Sequence, residues 1–249
     1  MCLIVVGWRA HPEFPLVVAA NRDEFYTRPT ASAGRWPASP QVIGGRDLEA
    51  GGTWLGVTES GRFAAVTNVR EPGMAKGARS RGQLTRDFLL GDLAASEFAA
   101  QIDDSAYSGF NLLLGDGDRL VYRSNRDGQP KELPPGVYGL SNHRLDTPWP
   151  KLVKARDAFS SAMTALPDEA GLFALLADAS IVADGDLPNT GVTLDWERRL
   201  SAIFVQSENY GTRASTVVWQ RADGAVRLHE RSFAPFGQPL QSSLISTAV

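Results

Sequence analysis

Cys2 is the single thiol in a chain of 249 residues. With Met1 removed, it would carry a thiol and a free α-amine on one residue, and an amine of unperturbed pKa near ~8 suits a general base close to neutral pH. Such a pair supports nucleophilic attack on an acyl carbonyl. If His11, Pro12, Glu13 and Phe14 make the turn of a first hairpin, Ala10 faces Pro15, and counting back along both strands sets Cys2 opposite Asp23. A second hairpin turning at Glu59-Ser60-Gly61 pairs Thr58 with Arg62 and sets Asn68 opposite Gly52. A carboxamide there, facing bare glycine backbone, is a donor for an oxyanion. Asn142, after the run Val137 to Ser141, is a second strand-end amide. Arg213, just before another apolar strand, carries a charge of the kind that lowers a thiol pKa.

Each of these residue types also has an ordinary structural use. A lone cysteine on an apolar strand packs as a small hydrophobe, aspartate and asparagine form turns, and an arginine decorates a strand edge. Arg70, Lys76, Arg79, Arg81 and Arg86 stand against the acidic Glu71 alone until Asp87. That stretch reads either as a solvated loop and helix start or as a site for a substrate carboxylate or phosphate. Trp54 and Trp149 are the tryptophans nearest the candidate site, as core packing or as walls of an apolar pocket.

Several chemistries are excluded. One cysteine allows neither an internal disulfide nor a zinc site of several thiolates. His11, His143 and His229 lack any HExxH-like spacing, so no metal site is expected, and no GxSxG elbow occurs. Gly77 to Gly82 imitates the start of a P-loop, but Gln83-Leu84 follows where Lys and Ser or Thr are needed. A net charge of -3 and a pI near 5.7 give no general attraction to nucleic acid or an anionic bilayer. The opening apolar run lacks a preceding basic stretch and is broken by Arg9 and His11, unlike a signal peptide. No segment approaches the ~20 apolar residues of a spanning helix. A cytoplasmic protein without integral membrane association is expected.

The elements that must position these residues are mostly strands. Short apolar runs between turn residues predict strands at Cys2 to Arg9, Leu16 to Ala20, Thr53 to Thr58, Phe63 to Val69, Phe110 to Leu114, Leu120 to Arg123, Val137 to Ser141, Ala202 to Gln206, Ser215 to Arg221 and Ala225 to Arg231. Apolar residues at three- and four-residue spacing predict helices over Ser80 to Leu90, Ala94 to Ile102, Pro148 to Leu166 and Glu169 to Ala177, the third with a buried stripe of Leu152, Ala155, Phe159 and Met163. Strands grouped in hairpins with helices between the groups predict an α+β fold, and the absence of a linker predicts a single domain over 1–249. Val182 to Leu194, rich in Gly, Asp and Pro, reads as a long loop covering a pocket.

The run Ala20-Asn21-Arg22-Asp23-Glu24-Phe25, with Cys2 upstream, resembles the signature of the NRDE family, that of the transport and Golgi organisation protein 2. Gly51 to Gly56, Thr67 to Arg70, Ser80-Arg81-Gly82, Gly139 to Asn142 and Tyr210 to Arg213 resemble it too. The spacing is also similar to that of cysteine N-terminal-nucleophile amidases, the choloylglycine hydrolases and penicillin V acylases. That resemblance implies a four-layer αββα sandwich of two mainly antiparallel sheets. It makes Cys2 the nucleophile, Asp23 the carboxylate holding its amine, Asn68 and Asn142 the amides around oxyanion and amine, and Arg213 the distal arginine. Those amidases carry an arginine three residues before the aspartate, where this chain has Ala20; Arg22 points to the other face of a regular strand.

Two functions follow as expectations. One is a cysteine hydrolase of a linear amide such as an N-acyl compound, needing no cofactor. The other, implied by the family resemblance, is a non-catalytic carrier of haem or an acyl-coenzyme A or lipid-like ligand in the same cleft. Without a CxxCH site, haem would be held non-covalently. Either way the partner is a small amphipathic molecule, with Arg22, Trp54, Arg70 and Arg81 as ligand-binding candidates. The sequence carries no signal for oligomeric state.

Overall fold

The computed structural model describes residues 2–247. Its first strands are continuous apolar runs because both of their faces are covered. β1 (Cys2–Trp8) sends Leu3 and Val5 to one side and Ile4, Val6 and Trp8 to the other, and β2 (Leu16–Phe25) divides Val17 and Ala19 from Leu16, Val18 and Ala20 in the same way. β3 (Thr30–Trp36), β4 (Ser39–Asp47), β5 (Leu55–Thr58) and β6 (Phe63–Asn68) follow. Then come helices α1 (Gly82–Leu90) and α2 (Ala95–Ala100), and strands β7 (Phe110–Gly115), β8 (Leu120–Ser124), β9 (Lys131–Glu132) and β10 (Gly136–Leu140). The chain closes with α3 (Pro150–Met163), α4 (Ala170–Leu176), α5 (Leu194–Leu200), β11 (Tyr210–Gln220), β12 (Val226–Ala234) and β13 (Gln238–Ser246).

One sheet runs β10-β1-β2-β11-β12-β13 and the other β3-β4-β5-β6-β7-β8-β9, every pairing antiparallel. Ile4, Val6, Val18, Leu55, Val57, Phe63 and Leu113 fill the space between the sheets. Leu152, Ala155, Phe159 and Met163 of α3 form the expected stripe and pack, with α4, on the outer face of the first sheet. Leu84, Phe88, Ala95 and Ala99 of α1 and α2 cover the outer face of the second. These are the four layers of an αββα sandwich.

Several expectations change in detail. The first hairpin closes one residue earlier than counted: Arg9 takes φ 47° and its N–H donates to the Pro15 carbonyl at 2.7 Å. Trp8 therefore pairs with Leu16 and Cys2 with Arg22, so Asp23 pairs across β2's other edge with Thr212. The second hairpin has the expected register, Leu55 opposite Ala65 and Val57 opposite Phe63, but it stops before Gly52, leaving Asn68 paired with Phe110 of β7. Ala202 to Gln206 is not a strand, and all but the exposed Gln206 is buried; Phe204 donates to the Asp178 carbonyl, and the Thr212 N–H to that of Val205. The segment read as a loop up to Leu194 leads into α5, and it packs Thr190 against Glu197 and Arg70 instead of over the cleft of Cys2. At the β11–β12 turn the three residues Ala222-Asp223-Gly224 end on Gly224 at φ 96°, where glycine carries no steric cost.

Candidate active site

Cys2 opens β1 and pairs with Arg22 of β2, while on the β10 side the ladder begins only at Ile4. Its carbonyl also accepts from Ser141 Oγ at 3.0 Å. The thiol lies in the wall of a cleft of about 150 Å³ at the ends of the sheets, together with Arg22, Asp23, Glu24, Arg28, Trp54, Asn68 and Arg81. Burial pushes the thiol pKa up, with the Asp23 charge acting the same way and Arg22 opposing both.

Side chains alternate along β2, which sets Arg22 on the opposite face from Asn21 and Asp23. Asn21 faces the helices and is a fastener: its Nδ2 donates to the Leu176 and Ile203 carbonyls at 2.8 and 2.9 Å, and its Oδ1 accepts from Ser215 Oγ at 2.6 Å. Arg22 faces the other sheet, with its guanidinium 4.3 Å from the centre of the Trp54 ring, a cation–π contact. Contrary to the expectation of the other face, it shares the strand face of Ala20, two residues before it, so a guanidinium reaches the cleft from position 22 where the amidase pattern has one at position 20. Asp23 is 2% exposed and accepts from Thr212 Oγ1 at 2.7 Å, while Tyr210 Oη donates to its backbone carbonyl at 3.3 Å. Desolvation raises the Asp23 pKa, and Lys151, the Thr212 hydrogen bond and Arg22 pull it back.

Asn68 ends β6 inside the cleft, and Asn142 stands behind it. Asn142 is fully buried, and its Nδ2 donates to both the backbone carbonyl and the Oδ1 of Asn68, at 2.9 and 3.0 Å. With its oxygen engaged, the Asn68 amide has no hydrogen-bond acceptor for its NH2 end among the described residues. Cys2, Asp23 and Asn68 thus meet at one cleft, with Asn142 as a support outside its lining.

Arg213 is not brought there. It is the extra residue of a bulge between Thr212 and Ala214, and it donates to the carbonyls of Phe25 and Arg28, the latter at 2.5 Å. The bulge explains the displacement, since it turns the side chain at 213 outward while Thr212 stays on Asp23. Arg70 is also drawn away, into an ion pair with Glu197 at 2.9 Å and over the Trp149 ring at 5.1 Å. Of the ligand-binding candidates, Arg22, Trp54 and Arg81 line the cleft.

Sequence reasoning missed Lys151. It is 5% exposed, its Nζ donates to the Leu200 carbonyl at 2.7 Å, and burial drives its pKa down to about 8, with Asp23 opposing. The available signal was its place four residues before Ala155, on the apolar stripe of α3. Thr212 and Tyr210 were missed too, although both lie in the stretch that drew attention to Arg213. Among the described residues, no group of three or more His, Cys, Asp or Glu side chains is placed to hold a metal ion, and no helix is long and apolar enough to cross a membrane.

Two facing antiparallel sheets, clad by helices and opening at a strand-initial cysteine, define the N-terminal-nucleophile hydrolase fold. Solved structures with this fold include a Caenorhabditis elegans N-acylethanolamine-hydrolyzing acid amidase ortholog, with TM-score 0.51 and 12% identity, covering 87% of this chain and 92% of that one. A C2A mutant of the conjugated bile acid hydrolase from Clostridium perfringens matches with TM-score 0.50 and 9% identity, over 98% and 92% of the two chains. Within that fold the chain belongs to the Transport and Golgi organisation 2 family, whose pattern matches residues 1–235. The Transport and Golgi organization protein 2 homolog of Bos taurus is 37% identical and that of Homo sapiens 35%, each over 93% of both chains.

Proposed function

We propose that this protein is a cysteine hydrolase of the N-terminal-nucleophile type that cleaves a linear amide, with Cys2 as nucleophile. The observation that carries the reading is the meeting of the Cys2 thiol, the buried Asp23 carboxyl and the supported Asn68 amide in one cleft. A thiol whose pKa is pushed up by burial holds its proton at neutral pH and needs a base. The α-amine of Cys2 is that base once Met1 is removed, with Asp23 holding it; Met1 itself lies outside the described residues.

The thiol proton passes to the amine as sulfur bonds to the carbonyl carbon, and the carbonyl electron pair moves onto oxygen, where the Asn68 NH2 stabilises it. Collapse of this intermediate breaks the C–N bond, and the amine returns its proton to the leaving nitrogen. Water then cleaves the thioester, releasing the acid and restoring the thiol.

The cleft's walls set this reading ahead of a carrier function. Its volume of about 150 Å³ lies below the ~300–1,000 Å³ of sites that enclose a drug-sized ligand. Its lining is mostly charged and polar, which suits part of a small polar molecule better than a porphyrin or an acyl chain. Intact mass gives the mature N-terminus. Incubation with a panel of short acyl amides should then produce an acyl adduct on Cys2 and release of the amine, both abolished by Cys2→Ser. Turnover by protein that retains Met1 would refute the mechanism. A haem-induced spectral shift that survives Cys2→Ser, with no adduct from any amide, would favour the carrier.

A further inference from the structure

Three guanidinium groups reach the cleft, and the acids around them are shared unevenly. Arg28 pairs with Asp47 at 2.8 Å and Glu49 at 3.2 Å, and lies 3.9 Å from Glu24. Arg22 lies 3.8 Å from the same Glu24 and covers Trp54. Arg81 is different: its Nη1 donates to the neutral Gly109 carbonyl at 3.0 Å, and among the described residues it joins no ion pair. A Cys2 thiolate, then Glu24 and Glu71, act on it only from beyond ion-pair reach, while Arg28 opposes them. It is nevertheless largely withdrawn from water, enough for burial to push its pKa down. A guanidinium in that state, answered by one carbonyl, retains most of its capacity for a bidentate anion. Arg81 also precedes the first residue of α1 without making a side-chain capping bond, so the positive end of that helix lies in the same wall.

Size and lining narrow what the anion belongs to. Among the described lining residues, Trp54 and Val66 are the only apolar side chains other than Cys2. A cavity near ~150 Å³ accommodates a molecule about the size of benzene, so the seat beside Cys2 takes a fragment of a few heavy atoms.

The geometry points to Arg81 as the specificity-determining residue of this cleft: it binds a carboxylate of the substrate while the scissile carbonyl sits at Cys2, so the substrates are short acyl amides that bear a carboxylate. This rests on Cys2 being the reacting centre, and deepens that reading by naming the substrate class. The competing role for Arg81 is to stabilise the thiolate, which would affect neutral and anionic substrates alike.

Iodoacetate and iodoacetamide separate the two roles without requiring turnover. Both alkylate a thiolate by the same displacement, in which an S–C bond forms and iodide leaves with the C–I electron pair, and they differ in size by almost nothing and in charge by one. In the folded protein the iodoacetate-to-iodoacetamide rate ratio at Cys2 should exceed that of the denatured chain by about tenfold, the effect of about 1.4 kcal/mol. Arg81→Gln should remove that excess while leaving the iodoacetamide rate within about twofold, and Arg81→Lys should restore part of it. N-acetylglycine should protect Cys2 from iodoacetamide in the wild-type protein at concentrations where N-acetylglycinamide does not. That arm keeps the test decisive if Arg81→Gln fails to fold.

Equal loss of both rates in Arg81→Gln, a wild-type ratio equal to that of the denatured chain, equal protection by the two acetyl compounds, or no labelling of Cys2 by either reagent would each overturn the assignment. A protein that labels with this charge selectivity yet never releases an amine keeps the anion site and loses the hydrolase reading. One that cleaves neutral and anionic amides equally keeps the hydrolase and loses the role of Arg81.

Discussion

Lys151 places a positive charge in the interior of the first sheet's helical cover, and its effect on stability has a definite sign. In the folded protein it releases its proton near pH 8, because burial disfavours the ammonium more than Asp23 favours it. In the unfolded chain it behaves as an ordinary lysine with pKa ~10.4. A folded pKa below the unfolded one means that protonation penalises the native state. The penalty is complete below about pH 8 and disappears as pH rises toward the unfolded value. The gap between 10.5 and about 8, at about 1.4 kcal/mol per pH unit, comes to roughly 3 kcal/mol.

Lys151→Met keeps the aliphatic stem and removes the titration. It also deprives the Leu200 carbonyl of its donor, at about 1–3 kcal/mol, a cost that does not vary with pH. Urea unfolding of both proteins at pH 7 and pH 10 isolates the lysine, since every other titrating group is common to the two. The stability difference, wild type minus variant, should rise by ~2–3 kcal/mol over that interval. A difference that stays flat, or falls, would show that Lys151 is not a desolvated ammonium and would remove it from the surroundings of Asp23.

Asn142→Ala should cost about 1–3 kcal/mol in denaturant unfolding, because it frees both acceptors of Asn68 inside the protein; it should also slow acyl-adduct formation on Cys2 more than it slows alkylation. Gly52→Ala should destabilise by about 1–3 kcal/mol or more, read as a lower melting temperature, since a Cβ there would stand 2.2 Å from the Gly82 carbonyl oxygen. The rate of Cys2 alkylation by iodoacetamide should keep climbing with pH beyond 9, because burial raises the thiol pKa above its ordinary value of 9.0; a plateau below pH 8 would contradict that placement.

The sandwich was legible where the chain is apolar on a simple period. Both faces of β1 and β2 are covered, so they read as unbroken hydrophobic runs, and the α3 stripe followed from three- and four-residue spacing. β3, β4 and β13 did not read as strands. TASAGRW and SPQVIGGRD carry Gly, Pro and Ser through register shifts, and QPLQSSLIS is a largely exposed edge strand with no buried face to impose alternation.

The site shows the same division. Pairing arithmetic found the right strands and missed by one residue at Arg9, whose left-handed backbone starts the turn one residue early and makes it one residue longer. In a sheet one residue decides the face, and the slip placed Asp23 opposite Cys2 when Arg22 is its partner. Arg213 failed for a related reason, since nothing in Gly211-Thr212-Arg213 announces that the third residue is the bulged one. Arg70 had only the adjacent Glu71 as an acid nearby in sequence, and Glu71 pairs instead with Arg126; Glu197, which claims Arg70, lies 127 residues away.

The contact that forbids a side chain at Gly52 also fixes a length. Thr53 donates its backbone N–H to the Gly82 carbonyl at 3.2 Å, and the Thr85 hydroxyl bonds to the Gly82 and Thr53 carbonyls together, so the start of α1 is clipped to the chain just before Trp54. Arg81 and Trp54 are the immediate neighbours of those clipped residues, and Trp54 in turn carries Arg22. The clip therefore sets the gap between the two jaws like a locked caliper, and under the proposed function it gauges the substrate against that gap and refuses a longer homologue that a hinged mouth would have stretched to admit.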